Sequence, residues 1–169
     1  MNIARLLLDQ VDRETTATRR MLERVPDGRD DWKPHPKSMA LGRLAGLVAS
    51  MPSWVPLIVG QDELDLTPPP GQGGSYAPPP TSELVATLDK HMATAREVLA
   101  KTTDDFLLTT NWRLRAGGAV VADDPRHVVL SDTINHWSHH RGQLTVYLRL
   151  LDCKVPPIYG PSADDARFL

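Results

Sequence analysis

The chain has 169 residues, with 19 Lys and Arg against 21 Asp and Glu and a formal net charge of -2. That length buries a substantial core without staples and is read as a single domain, 1–169. The basic residues are scattered, so the cationic surface that displaces phosphate counterions is missing and a nucleic-acid partner is excluded. The lone Cys153 excludes an internal disulfide. Residues 1–5 lack a signal peptide's basic start and apolar stretch, and no apolar run approaches the roughly 20 residues of a membrane span. A cytoplasmic protein is expected.

From residue 3 to about 24, Leu7, Leu8, Val11, Thr15, Thr18, Met21 and Leu22 recur at three- and four-residue spacing, which predicts an amphipathic helix. Pro26, Asp27 and Gly28 stop it. Pro34 and Pro36 hold the connector extended, with Trp32 packing on the end of the helices. Ser38 is the expected N-cap of a second helix carrying Leu41, Leu44, Ala45, Val48 and Met51 inward. Pro52 kinks that helix on its way to Gly60, and Gly42, Ala45, Gly46 and Ala49 would let a neighbouring helix approach closely.

Between residues 61 and 80 lie six of the chain's 15 prolines, at 68–70 and 78–80, with Gly71, Gly73 and Gly74 between them. So long a connection crosses the fold rather than joining adjacent antiparallel helices. Tyr76 offers the alternative of a lid. Thr81 or Ser82 is expected to cap a third helix bearing Leu84, Leu88, Met92, Ala95, Val98 and Leu99, with His91 at its edge. Alternation from Leu107 to Leu114, the Gly117-Gly118 turn and the run at 119–121 predict a small β-hairpin. A last helix runs from about 126 to 151 and ends before Pro156 and Pro157.

Three of the six histidines fall within residues 136–144 of that helix. At about 100° per residue, His136, His140 and Gln143 share one stripe with Val129, Thr133, Leu144, Tyr147 and Leu151. Arg141, Ser138, Thr145 and Arg149 fall opposite. The stripe is therefore expected to face inward and the arginines to face solvent. Two imidazoles one turn apart can share a metal ion, yet a catalytic site of zinc type needs three protein ligands. His35, His91 and His127 stand at no telling spacing, and His139 is rotated away. The alternative is a buried polar network of His136, His140 and Gln143 beside Trp137 and Tyr147. No glycine-flanked nucleophilic serine or phosphate-binding loop is present, and Cys153 has no histidine near it in sequence.

Residues 136–144 resemble the His-x-x-x-His-Arg-Gly-Gln helix of the DinB/YfiT-like family. Trp32-Lys33-Pro34 with residues 38–45, and Trp112 with Gly117-Gly118, are similar to the segments that precede that family's second and fourth helices. The resemblance implies an all-α four-helix bundle with a long crossover between helices 2 and 3, commonly forming homodimers. It also implies a divalent metal, nickel or zinc, on three histidines. Two of these map onto His136 and His140. The third follows Leu44-Ala45-Gly46, where this chain has Leu47, which cannot coordinate an ion.

Where family members have a known activity, it is metal-dependent transfer or isomerisation with a low-molecular-weight thiol such as bacillithiol or mycothiol. An ion would lower the thiol's pKa and hold the thiolate beside an electrophile. On that reading His136 and His140 carry the ion, with Leu47, Gln143 and Tyr147 around the pocket. The competing expectation is a metal-free protein, binding a small molecule or acting as a dimer in a stress response, in which Leu47 fills the ion's space.

Overall fold

The computed structural model describes residues 2–67 and 77–165. Helix α1 spans Ile3–Leu22, and the Asn2 side chain caps it by accepting the Arg5 amide at 2.6 Å. Ala4, Leu7, Val11, Thr18 and Met21 bury one stripe of it. After the turn at Pro26, Trp32 stands edge-on to Tyr147, with ring centroids 5.7 Å apart, and so packs against the start of the second helix and the end of the last.

Helix α2 spans Leu41–Ser50, and Ser38 is not its cap. The reason lies in the connector: the amides of Leu41 and Gly42 donate to the carbonyls of Trp32 and Asp30 at 2.9 and 3.0 Å. Helical donors satisfied this way need no hydroxyl. A 3-10 turn at Met51–Ser53 holds Pro52, and helix α3 continues over Trp54–Gly60, giving the expected kink. By length and composition Leu41–Gly60 is long and apolar enough to span a bilayer, contrary to the sequence expectation. Here its Leu44, Val48, Met51, Val55 and Ile58 lie in the core.

The connection after α3 is more structured than its composition suggested. Strand β1, Glu63–Asp65, pairs in parallel with β2, Asn111–Ala116, and β2 pairs antiparallel with β3, Ala119–Pro125. Asp65 accepts the amides of Thr67, Gly117 and Gly118, tying the connection to the hairpin turn. These bonds, the Thr67 amide foremost, hold its carboxyl below the ordinary value. The prolines at 68–70, their neighbouring glycines and the suggested Tyr76 lid lie outside the described residues.

Thr81 does not cap a helix. Its hydroxyl donates to Asp30 at 2.5 Å, a 3-10 turn covers Thr81–Glu83, and helix α4 spans Leu84–Lys101. The strand expected from Leu107 begins later, because Asp104–Thr109 forms a short helix, α5. Thr103 caps α5 by accepting the Phe106 amide at 3.3 Å, so local capping outweighs alternation there. Helix α6 spans Arg126–Leu150.

Helices α4 and α6 each pack on both α1 and α2, with the sheet against one end of α6. Arg126, 2% exposed, fastens that end. It donates to the carbonyls of Ile58 and Gln61, to Asp62 at 2.6 Å and to the Thr110 hydroxyl at 3.0 Å.

Of the small residues of α2, the two glycines receive loops rather than a helix. A Cβ on Gly46 would lie 2.7 Å from the Pro78 Cβ and 2.9 Å from the Pro79 Cδ; one on Gly42 would lie 2.8 Å from an Asp30 oxygen. Gly46→Ala is therefore expected to lower stability by roughly 1–3 kcal/mol through overpacking. Gly60→Ala, with nothing within 4 Å of its added carbon, serves as the control in urea unfolding. Equal effects from the two would mean that the proline contact is not what requires glycine at 46.

Candidate functional site

The buried face of α6 consists of Arg126, Leu130, Ile134, Trp137, Arg141, Leu144, Tyr147 and Leu148. It is turned by about one residue, roughly 100°, from the stripe read from the histidines. His136 is exposed and His140 and Gln143 are half-buried, so the pair does not point into the core. Arg141 does, with 1% exposure. Its burial is offset by Glu14 of α1, whose carboxylate lies 2.5 Å away and whose carbonyl lies 3.0 Å away, while its Nε has no partner among the described residues. The Thr18 hydroxyl at 3.1 Å and the Tyr159 hydroxyl at 2.5 Å complete the cluster, and Tyr159 also donates to Glu14 at 2.7 Å.

One signal for this cluster was present in α1. Glu14 shares the stripe of Leu7, Val11, Thr18 and Met21, and a carboxylate on an apolar stripe calls for a cation. Next to Arg141 in space, Trp137 is buried and donates its indole N–H to the Val48 carbonyl at 2.9 Å.

At the rim of the buried face the imidazoles form a chain. The Gln143 amide oxygen can only accept, so His140 donates to it through Nδ1 at 2.8 Å. A neutral His140 then accepts at Nε2 from the Nε2–H of His136, at 2.7 Å. The Gln143 amide nitrogen donates in turn to His139 Nε2 at 3.0 Å. His139 thus joins the chain through Gln143 rather than through the pair.

Partial burial, followed by the charges His140 and His139 would carry, holds the His136 pKa below the ordinary 6.5. The folded chain then binds this proton more weakly than the unfolded chain. Stability from neutral His136 is fully present above pH 6.5 and is lost as pH falls through the lower folded value. An NMR titration of the imidazoles should place His136 below 6.5, and His136→Gln should lessen the acid sensitivity of the urea midpoint. A midpoint at or above 6.5 would contradict this account.

No group of three His, Cys, Asp or Glu is gathered in a metal-holding arrangement among the described residues. His35 is exposed in the connector, His91 is half-buried on α4, and His127 Nδ1 lies 3.2 Å from the Leu107 carbonyl. Leu47 is half-buried on α2. Val48 meets Trp137, and the Met39 carbonyl accepts from the Tyr147 hydroxyl at 3.1 Å. These contacts set α2 antiparallel to α6, with Leu47 level with the turn that holds the pair. The donor set at that level is therefore two imidazoles, with an isobutyl group at the corresponding position of α2. Their nitrogens, 2.7 Å apart, would have to separate to about 3.3 Å to share a tetrahedral ion. As they stand, these residues do not fit a three-histidine centre.

His136 also borders a cavity of about 270 Å³ between α6, the hairpin and the start of α3. Trp54, Trp112, Leu114 and Val129 supply apolar walls, and Asp124 and Asp132 supply carboxylates. Leu47, Gln143 and Tyr147 are not among its lining residues. Sequence reading missed Trp54, Asp124 and Asp132, since only the hairpin's fold against α6 brings them together.

Such an arrangement defines a mostly helical protein with a small sheet and an i,i+4 histidine pair on its last helix. The chain belongs to the DinB family, whose model matches residues 1–167. It is 27% identical over 152 residues to the uncharacterised protein YrdA of Bacillus subtilis strain 168, covering 90% of this chain and 85% of that one. Among solved structures it is similar to a DinB-like protein from Bacillus cereus ATCC 10987, with a TM-score of 0.67 and 26% identity over 90% of this chain and 95% of the other. The fold is also that of the DinB-like protein YjoA from Bacillus subtilis, with a TM-score of 0.66 at 16% identity, covering 93% and 99% of the two chains.

Proposed function

We propose that this DinB-family protein binds a small organic molecule and does not use the family's three-histidine metal centre. Helices α1, α2 with its continuation α3, α4 and α6 serve as the four helices of the bundle that carries the site. The observation behind the reading is the setting of His136. It borders a largely apolar cavity, it is hydrogen-bonded to His140, and the position level with the pair is Leu47, which has no donor atom. Apolar walls with a few convergent polar groups are the usual make-up of a small-molecule site. His136 then acts as a hydrogen-bonding edge to the cavity, held by His140 and through it by Gln143.

One observation favours the second reading, a nickel- or zinc-dependent thiol transferase with an open site. The bond from His140 Nδ1 to Gln143 turns Nε2 toward His136, where an ion would replace the bond between the two rings, as outer partners of metal-bound histidines orient their ligands. Water would have to supply the missing positions, and a bound ion would stabilise a thiolate.

Thermal unfolding of untagged protein separates the readings. Nickel, zinc and a chelator are expected to leave the melting temperature unchanged, while organic probes raise it. One ion per chain at micromolar concentration, lost in His140→Ala, would replace the first reading with the second. A homodimer is part of the same proposal and is checked by sedimentation of the same samples.

A further inference from the structure

We infer that the cavity beside His136 is a site for a small organic cation, its ammonium held by Asp124 and Asp132 and its hydrocarbon part by Trp54 and Trp112. This deepens the small-molecule reading above and rests on it. The sheet register sorts the charges. In β2 and β3, Arg113 lies opposite Asp123, and Trp112 lies opposite Asp124. Alternation sends these pairs to opposite faces.

On the outer face the charges are matched. Arg113 pairs with Glu63 and Asp123, and Arg115 pairs with Glu63. On the cavity face, the Asp124 carboxylate has no hydrogen bond or ion pair among the described residues, and neither does that of Asp132 on α6. Among the described residues no Lys or Arg lines the cavity. Arg126, at the start of α6, is committed to Asp62 and three oxygens.

The aromatic walls favour the same class of ligand. An ammonium over an indole face is attracted by the ring's quadrupole, most strongly for Trp, and Met51 adds a soft contact. Trp112 belongs to the same wall. It lines the cavity and is 3% exposed, yet its Nε1–H has no acceptor among the described residues. Buried indole donors ordinarily find a partner, as that of Trp137 does. The volume of about 270 Å³ suits a single ring or a short chain.

The test uses the full 15N-labelled chain in the presence of chelator, with benzyltrimethylammonium as the cation, benzyl alcohol as the neutral probe and phenylacetate as the anion. The four indole N–H signals report which tryptophans are touched. Benzyltrimethylammonium should shift Trp54 and Trp112 saturably and leave Trp32 and Trp137 in place. Asp124→Asn and Asp132→Asn should each weaken its binding by roughly fivefold. Both residues are exposed, so neither change threatens the fold, and Asp105→Asn, also exposed, should leave binding unchanged.

If benzyl alcohol or phenylacetate binds at Trp54 and Trp112 as tightly as the cation, or the two Asp variants bind it undiminished, the cation inference is overturned while the small-molecule reading stands. If none of the three probes moves those signals, both fail together.

Discussion

Arg141→Ala should destabilise the protein by roughly 3–5 kcal/mol, the usual penalty for removing one partner of a buried ion pair. The guanidinium has 1% exposure and its Glu14 partner 8%. Deleting it leaves a carboxylate on the α1 side with, among the described residues, only the Tyr159 and Ser138 hydroxyls as donors, the latter at a long 3.4 Å. Glu14→Ala should be nearly as damaging, for it strands the cation. The double change to Glu14→Leu and Arg141→Met should recover much of either loss, because two apolar side chains leave no unpaired charge.

Urea unfolding of the four proteins measures all of this. The same contacts carry a local consequence, since Tyr159 joins the tail to the Glu14–Arg141 pair. The residues after 151 should therefore become protease-sensitive in Arg141→Ala before the helices do. A single-mutant loss below about 1 kcal/mol would mean that the pair is not what closes that interface.

Arg141 also shows why the α6 face was misread. Its sequence offers two candidate stripes about one residue apart: one carries His136, His140 and Gln143, the other Ile134, Trp137, Arg141 and Leu148. Treating arginine as solvent-seeking selects the first. The choice reverses once Glu14 is seen on the apolar stripe of α1, but that pairing joins residues 127 positions apart, and local periodicity carries no information about it. The helices themselves were legible because their apolar spacing is local, as were the Pro52 kink and the Gly117-Gly118 turn.

What was not legible depended on chain segments meeting. Asp30 and Trp32 replaced the Ser38 cap, Pro78 and Pro79 occupied the space left by Gly46, and β1 emerged inside a proline-rich connection by pairing with β2. The histidine pair was found, but its orientation and its cavity were not.

Leu47→His is expected to create strong metal binding where the parent has little. The change places a third imidazole level with the turn that holds His136 and His140, by the antiparallel register of Val48 with Trp137 and Met39 with Tyr147. Losing even an outer hydrogen-bond partner weakens metal sites by about 10–100-fold. Gaining an inner ligand should therefore strengthen nickel or zinc binding by at least about 100-fold. Position 47 is only half-buried, so the polar ring has access to water and the metal-free variant should fold, with a modest loss of stability.

At an ion concentration of about 100 times Kd, binding should return about 2.7 kcal/mol of stability, visible as a metal-dependent rise in melting temperature that the parent lacks. Adding His140→Ala should abolish both the binding and the rise, which separates a true site from loose surface coordination. Elemental analysis of untagged protein supplies the stoichiometry. One ion per chain in Leu47→His and none in the parent would locate the family's lost centre at a single side chain. The reverse pattern, metal in the parent and no gain from the third imidazole, would mean that the pair already recruits another ligand and that Leu47 does not face the ion. The thiol-transfer reading would then take precedence over the metal-free one.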